Sequence, residues 1–170
     1  GARVLIVGLG GLGAPSSLYL AAAGVGTMGL VDFDKVELSN LQRQTLYREA
    51  DVQKAKAGAA QSHLNALNSE IRLIPHEEKF NGDNAKKLIS NYDIVLGGSD
   101  NFETRYLLND TCYHLNKVFV DGAVSRFEGQ VTVFSRQHKT PCYRCLYPER
   151  PPKEIAPSCQ QIGVLGVIPG

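Results

Sequence analysis

The chain has 170 residues, 43% hydrophobic and 21% charged, with a formal net charge of +1. That length suffices for one domain with a substantial core, and the near-neutral charge gives no sign of a polyanionic partner held by bulk electrostatics. No apolar run is long enough to span a bilayer, and Gly1 leads at once into a core-type strand, so neither a membrane segment nor a leader peptide is expected.

Arg3 to Val7 is a short apolar run and reads as a buried parallel strand. Gly11 to Ala23 follows as a helix in which Pro15 falls early enough to be tolerated, and Gly24 and Gly26 end it. Met28 to Asp32 is a second strand, Val52 to Leu67 has helical spacing, and Ile71 to Pro75 is a third strand. Asn81 to Ser90 reads as a helix, Asp93 to Leu96 as a fourth strand, Glu103 to Leu115 as a helix and Val118 to Val120 as a fifth strand. Between Arg126 and Ser135 residues of two kinds alternate, which suggests a strand of different, antiparallel pairing. Glu149 to Pro157 is proline-rich and is expected to be an exposed, extended loop. Strands alternating with helices predict an α/β fold, a Rossmann-like doubly wound and mainly parallel sheet with an antiparallel extension. Both ends read as cut. The first strand starts almost at residue 1, and Ile162 to Gly170 is apolar without a cap, as a segment buried by something that follows.

Gly8-Leu9-Gly10-Gly11-Leu12-Gly13 joins the first strand to the first helix. Gly8 permits the tight turn, Gly10 lets backbone approach a phosphate, and Gly13 lets helix and strand pack closely. The free N–H groups at the helix start favour an anion. Asp32, at the end of the second strand, is placed to accept hydrogen bonds from ribose hydroxyls. This pattern alone fits NAD as well as ATP.

The segment after Asp32 distinguishes them. Asp34 is followed by Ser39-Asn40-Leu41-Gln42-Arg43-Gln44. A dehydrogenase has no need of an arginine and amides here, whereas a triphosphate does. Arg43 can grip phosphate oxygens with its fork, and Asn40 and Gln42 can add neutral hydrogen bonds. Lys56 can reach the same phosphates as a point charge. Asp100 is placed to hold Mg²⁺, which prefers carboxylate together with phosphate oxygens. Each residue also has a plainer reading: Arg43 as a surface ion-pair residue, Lys56 as a solvated helix lysine, and Asp100 or Asn101 as a helix N-cap. Their convergence at strand carboxyl ends favours transfer of a phosphoryl or nucleotidyl group, in which catalysis is mostly positioning and charge neutralisation. His63, His76, His114 and His138 are scattered and read as surface or core residues.

Cys142 and Cys145 form a CxxC after Pro141. In an α/β enzyme this favours metal or redox chemistry over a structural disulfide. It is half of a tetrahedral Zn²⁺ site or, alternatively, a redox dithiol. Cys112 reads as a small buried hydrophobe.

The glycine turn, Asp32-Phe33-Asp34, Ser39 to Gln44, Lys56, Ser99-Asp100-Asn101, Glu128-Gly129-Gln130 and Cys142-Tyr143-Arg144-Cys145 together resemble the MoeB/ThiF family, bacterial-type relatives of ubiquitin-activating enzymes. The resemblance runs in consistent order from Gly1 to Gly170. It implies a single adenylation domain over residues 1–170, lacking N-terminal helices and a C-terminal portion. The implied reaction is ATP-dependent adenylation of the C-terminal glycine carboxylate of a ubiquitin-like sulfur carrier ending in Gly-Gly, with release of pyrophosphate. Such carriers serve molybdopterin or thiamine synthesis or tRNA thiolation. Gly11, Asp32, Asp34, Ser39, Asn40, Leu41, Gln42, Arg43, Lys56, Asp100 and Asn101 would bind ATP, with Arg43, Lys56 and Asp100 catalytic and Asp100 on Mg²⁺. A second CxxC further along would complete the zinc site begun by Cys142 and Cys145. Cys159, after the proline-rich loop, would receive the activated glycine as a thioester or take part in sulfur transfer, as an exposed ionisable thiol can. The cysteine usage points to a cytoplasmic protein, and the resemblance further implies a homodimer, with a sulfurtransferase or cysteine desulfurase as a further partner. The alternatives are a related tRNA-modifying adenylating enzyme and an NAD-dependent oxidoreductase.

Overall fold

The computed structural model describes residues 1–125, 127–149 and 168. Its elements, in order, are β1 (Arg3–Val7), α1 (Gly13–Ala22), β2 (Thr27–Val31), α2 (Lys56–Leu67), β3 (Arg72–His76), α3 (Ala85–Ser90), β4 (Ile94–Gly97), α4 (Phe102–His114), β5 (Val118–Ser125), β6 (Glu128–Phe134) and α5 (Tyr143–Leu146). The sheet runs β3-β2-β1-β4-β5-β6. Every neighbouring pair is parallel except β5 and β6, which are antiparallel from Phe119 opposite Phe134 to Ser125 opposite Glu128. The expected doubly wound sheet with an antiparallel extension is therefore present.

Two-residue periodicity divides β1 between two cores. Val4 and Ile6 pack with Ala14 and Ala21 of α1 and Ala57, Ala60 and Leu64 of α2. Leu5 and Val7 point the other way, into a core with Leu88 and Ile89 of α3, Tyr106 and Leu108 of α4, and Phe119. Leu5 and Ile6 are fully buried, and each such side chain stabilises the fold by roughly 1.5–3 kcal/mol. A strand covered on both faces has to be apolar throughout, which is why it was legible as a run rather than an alternation. Pro75 is tolerated because β3 is the sheet edge.

Three boundaries differ from the sequence expectation by more than two residues. The helix placed at Val52 to Leu67 begins at Lys56, because residues 52–55 close a loop instead: Val36 N–H donates to Lys54 O, Gln53 N–H donates to Val36 O, and Lys35 bridges Ala55. Gln53 adopts a left-handed φ of 71° there. The helix placed at Asn81 begins at Ala85, since the Asn81 side chain accepts from the backbone of Asp83 and Asn84 and holds a turn. β5 runs five residues further than Val120, to Ser125, carried by its pairing with β6. The helix α5, only four residues long, has no sequence period that marks it. No helix of the described residues is long and apolar enough to cross a membrane.

Candidate nucleotide site

The strand order reverses between β1 and β4, and in open α/β sheets such a point opens a crevice at the strand carboxyl ends. A cavity of about 470 Å³ lies there, within the roughly 300–1,000 Å³ usual for small-molecule sites. Its wall includes Gly8, Gly10, Gly11 and Leu12, which lead into α1 and its positive end. Gly8 has φ of +90°, open to glycine at no steric cost. A Cβ at Gly13 would collide with the Gly8 carbonyl oxygen, so the turn folds against the helix start as only glycine permits.

Asp32 fastens this turn. Its carboxylate is 8% exposed and accepts from Leu9 N at 2.7 Å and Asp34 N at 2.8 Å. Burial raises its pKa, and the Lys56 charge and the two N–H donors offset that only in part. Each oxygen keeps a lone pair after these bonds, so contact with a ribose hydroxyl stays open. The Tyr47 hydroxyl adds a second fastening, donating to Leu9 O at 3.0 Å from a buried ring.

Residues 35–55 leave β2, cross the mouth of the crevice and return to α2. From this loop Asn40, Arg43 and Gln44 line the cavity, with Asp34 and Lys56 at its base. Lys56 is not a solvated helix lysine: it is 6% exposed, and its Nζ lies 3.2 Å from Asp34 Oδ2. Arg43 is half-buried, and among the described residues its guanidinium makes a single 3.5 Å contact, from Nη1 to Ser39 O, which leaves it available to an anion. Leu41 packs on the apolar core, and Ser39 is exposed and bonds Glu37. Neither they nor the exposed Gln42 lines the cavity. The glutamine that lines the cavity is instead Gln44, two residues further on.

Asp100 and Asn101 line the opposite wall, after β4. Asp100 is exposed to the cavity. Asn101 caps α4, its side chain accepting from Thr104 N at 2.8 Å, so the N-cap reading holds for Asn101 alongside its place in the wall. Arg105, one turn along α4, carries no motif in the sequence that marks it. It also lines the cavity, and its guanidinium donates to Ser99 O from Nε and Nη2 and to Gly122 O from Nη2, all at 3.2 Å. It thereby braces the segment that carries Asp100. Near it lies Asp121, 3.8 Å from Arg105 Nε, with Oδ1 buried and without a hydrogen-bond partner among the described residues. Burial raises the Asp121 pKa more than Arg105 lowers it.

His63 is not a passive residue. Its Nε2 lies 2.6 Å from Asp51 Oδ2, and Lys54 Nζ lies 3.0 Å from Asp51 Oδ1. Although burial opposes it, these bonds and the Arg48 N–H hold the Asp51 carboxyl at about 2. The pair ties the far end of the 35–55 loop to α2.

Away from the crevice, Cys142 caps α5, and its Sγ lies 3.4 Å from Cys145 Sγ. Zn–S bonds of about 2.3 Å in a tetrahedron separate two sulfurs by roughly 3.8 Å, so the two thiols fit two corners of a zinc site. Among the described residues no cluster of three metal-ligating side chains occurs. Cys112 is buried, and burial pushes its thiol up to about 12, as expected of an inert core residue. Cys159 and nearly all of the proline-rich loop lie outside the described residues.

Comparison with known proteins adds the lineage. The model of the ThiF family matches residues 1–170. The chain is 51% identical over 170 residues to "Adenylyltransferase and sulfurtransferase MOCS3" of Culex quinquefasciatus, covering 99% of this chain and 38% of that one. It is 48% identical over 174 residues to "Sulfur carrier protein adenylyltransferase" of Thermus thermophilus, covering 99% of this chain and 64% of that protein. This chain thus spans less than two thirds of either relative. Among solved structures, E. coli MccB with ATP superposes with a TM-score of 0.79 at 30% identity, over 85% of this chain and 43% of that one. Microcin C7 biosynthetic enzyme MccB with N-formylated MccA gives 0.81 at 29% identity, over 89% and 44%. With the glycine turn, the strand order and a family match over its whole length in agreement, this chain belongs to the ThiF family.

Proposed function

We propose that this chain is the adenylation domain of an ATP-dependent adenylyltransferase that activates the C-terminal glycine carboxylate of a ubiquitin-like sulfur carrier. The observation that carries the reading is that Arg43, Lys56 and Asp100, from three separate segments, line one cavity over the glycine turn. The names of the relatives, adenylyltransferases that include one for a sulfur carrier, support the same reading.

A terminal carboxylate is ionised at neutral pH, its reference pKa being about 3.5, so the site needs no general base. The carboxylate oxygen attacks the α-phosphorus in line. A C–O–P bond forms, the bond from the α-phosphorus to the bridging oxygen breaks, and the electron pair leaves on pyrophosphate. Arg43 and Lys56 neutralise the growing charge on the phosphates. Lys56 does so while still paired with Asp34, which keeps its ammonium aimed into the cavity. Asp32 takes the ribose, and the first-turn N–H groups of α1 take a phosphate. Asp100, exposed in the cavity wall and braced through Arg105, would hold Mg²⁺, a carboxylate-plus-phosphate ligand set that suits this ion. When bound, the ion supplies further charge neutralisation.

In the same reading Cys142 and Cys145 supply two zinc ligands, with two more from elsewhere in the protein. Cys159 is the acceptor thiol for the activated glycine, and the assembly is a cytosolic homodimer that works with a sulfur donor enzyme. ATP–pyrophosphate exchange in the full-length protein with a Gly-Gly-ending carrier tests the proposal. Exchange is expected with the wild type, with a loss of about 10²-fold or more in Asp100→Ala. Absence of exchange with every such carrier, or full exchange in Asp100→Ala, would reject it.

A further inference from the structure

Gln44 is 2% exposed, yet it lines the cavity. Among the described residues its buried Oε1 has no hydrogen-bond partner, and no bond engages its Nε2. Buried amides are almost always satisfied, and an orphan asks for an explanation. A glutamine serving only the fold would be bonded at its ends by neighbouring backbone. This one is held everywhere except at its amide. Its own N–H donates to Asn40 O at 3.0 Å, its carbonyl accepts from Tyr47 N at 3.1 Å, and the Tyr47 hydroxyl ties the segment to Leu9 O at 3.0 Å. The result is an amide standing over the glycine turn: Nε2 lies 3.7 Å from the place a Cβ on Gly10 would occupy.

We infer that the Gln44 carboxamide is a direct ligand of the nucleotide's polyphosphate, donating an N–H to a phosphate oxygen that lies between it and the Gly10 backbone. Tyr47 acts through it as a positioning residue, fixing the separation between the 35–55 loop and the glycine turn. The amide is neutral, so it adds direction without adding to the charge already supplied by Arg43 and Lys56. The phosphate oxygen supplies the acceptor that Nε2 lacks. The inference rests on the reading of this cavity as an ATP site.

Titration calorimetry of the full-length protein with Mg-ATP tests it, using Gln44→Met, which keeps the length of the side chain without the donor, and Gln44→Glu, which keeps the shape and turns a like charge toward the phosphates. Gln44→Met should weaken ATP about tenfold, the worth of one hydrogen bond to a charged group, and Gln44→Glu should weaken it further. The KM for ATP should rise while the KM for the carrier holds. The melting temperature without nucleotide should stay within a few degrees of the wild type, as a ligand role requires and a structural role does not. ATP binding within twofold of the wild type in both variants overturns the inference while leaving the ATP site intact. So does a loss of ATP affinity matched by a collapse of the unliganded protein in both variants. A wild type that fails to bind ATP overturns the site reading as well.

Discussion

The nucleotide cavity and the Cys142–Cys145 turn both begin from a short sequence motif, but the chain commits to them to different depths. At the cavity, groups from the ends of β1, β2 and β4, from the 35–55 loop and from α2 and α4 meet in one space. Most of these groups are pinned by a second residue: Leu9 by Asp32 and Tyr47, Lys56 by Asp34, Ser99 by Arg105. At the cysteines, the scaffold is secure and the ligands are few. Tyr143 is buried against the ring of Tyr106 with centroids 5.2 Å apart, and Arg144 grips Asp110 with two bonds of 2.7 Å. Yet the turn offers only two thiols, and Cys145 is exposed. The contrast teaches that a motif becomes a site only when distant segments supply what the motif lacks.

The largest expected effect strikes the deeper of the two. Gly13→Ala sets a methyl group against the Gly8 carbonyl, with Gly98 already packed on the other side of that oxygen. Neither backbone can yield cheaply, so urea unfolding should show a loss of about 3 kcal/mol or more, together with loss of ATP binding. If the variant unfolds and binds ATP like the wild type, the turn is not the rigid floor described here.

A moderate effect is expected where the 35–55 loop is tied to α2. The Asp51 carboxyl is held at about 2, below its usual value near 4. A carboxyl depressed in the folded state contributes stability that is present above the unfolded value and fades as pH falls through the folded one. Asp51→Asn should therefore cost on the order of 1–2 kcal/mol at pH 7, with the gap to the wild type closing between about pH 4 and pH 2. Denaturant melts at stepped pH check this; a gap that is flat over that interval would assign the stability to something other than the charged pair.

The smallest effect on the cavity should come from the cysteines. Cys142→Ser in the full-length protein should leave ATP affinity within about twofold, since the thiol is separated from the cavity by α4. Zinc in the purified protein, read by elemental analysis, should fall. A large drop in ATP affinity would show that the two regions are coupled and dissolve the contrast.

The sequence by itself determined the sheet and the glycine turn. Runs such as Val4-Leu5-Ile6-Val7, short and closed by glycine, read as strands covered on both faces, and the spacing of Gly8, Gly10 and Gly13 answers to local backbone sterics. It also drew attention to Arg43, Lys56 and Asp100, because their charges suit a triphosphate, while giving no means to separate Lys56 buried on Asp34 from a lysine in water. Only the tertiary structure decided which members of a polar segment face the crevice. Ser39, Leu41 and Gln42 turn away and Gln44 turns in, because the loop is closed at Lys35 and Ala55 and strapped to Leu9 by Tyr47. Arg105 and the Asp51–His63 pair lay beyond reach for the same reason. Their roles consist of contacts with segments far along the chain, and such pairings leave no period in the sequence to be read.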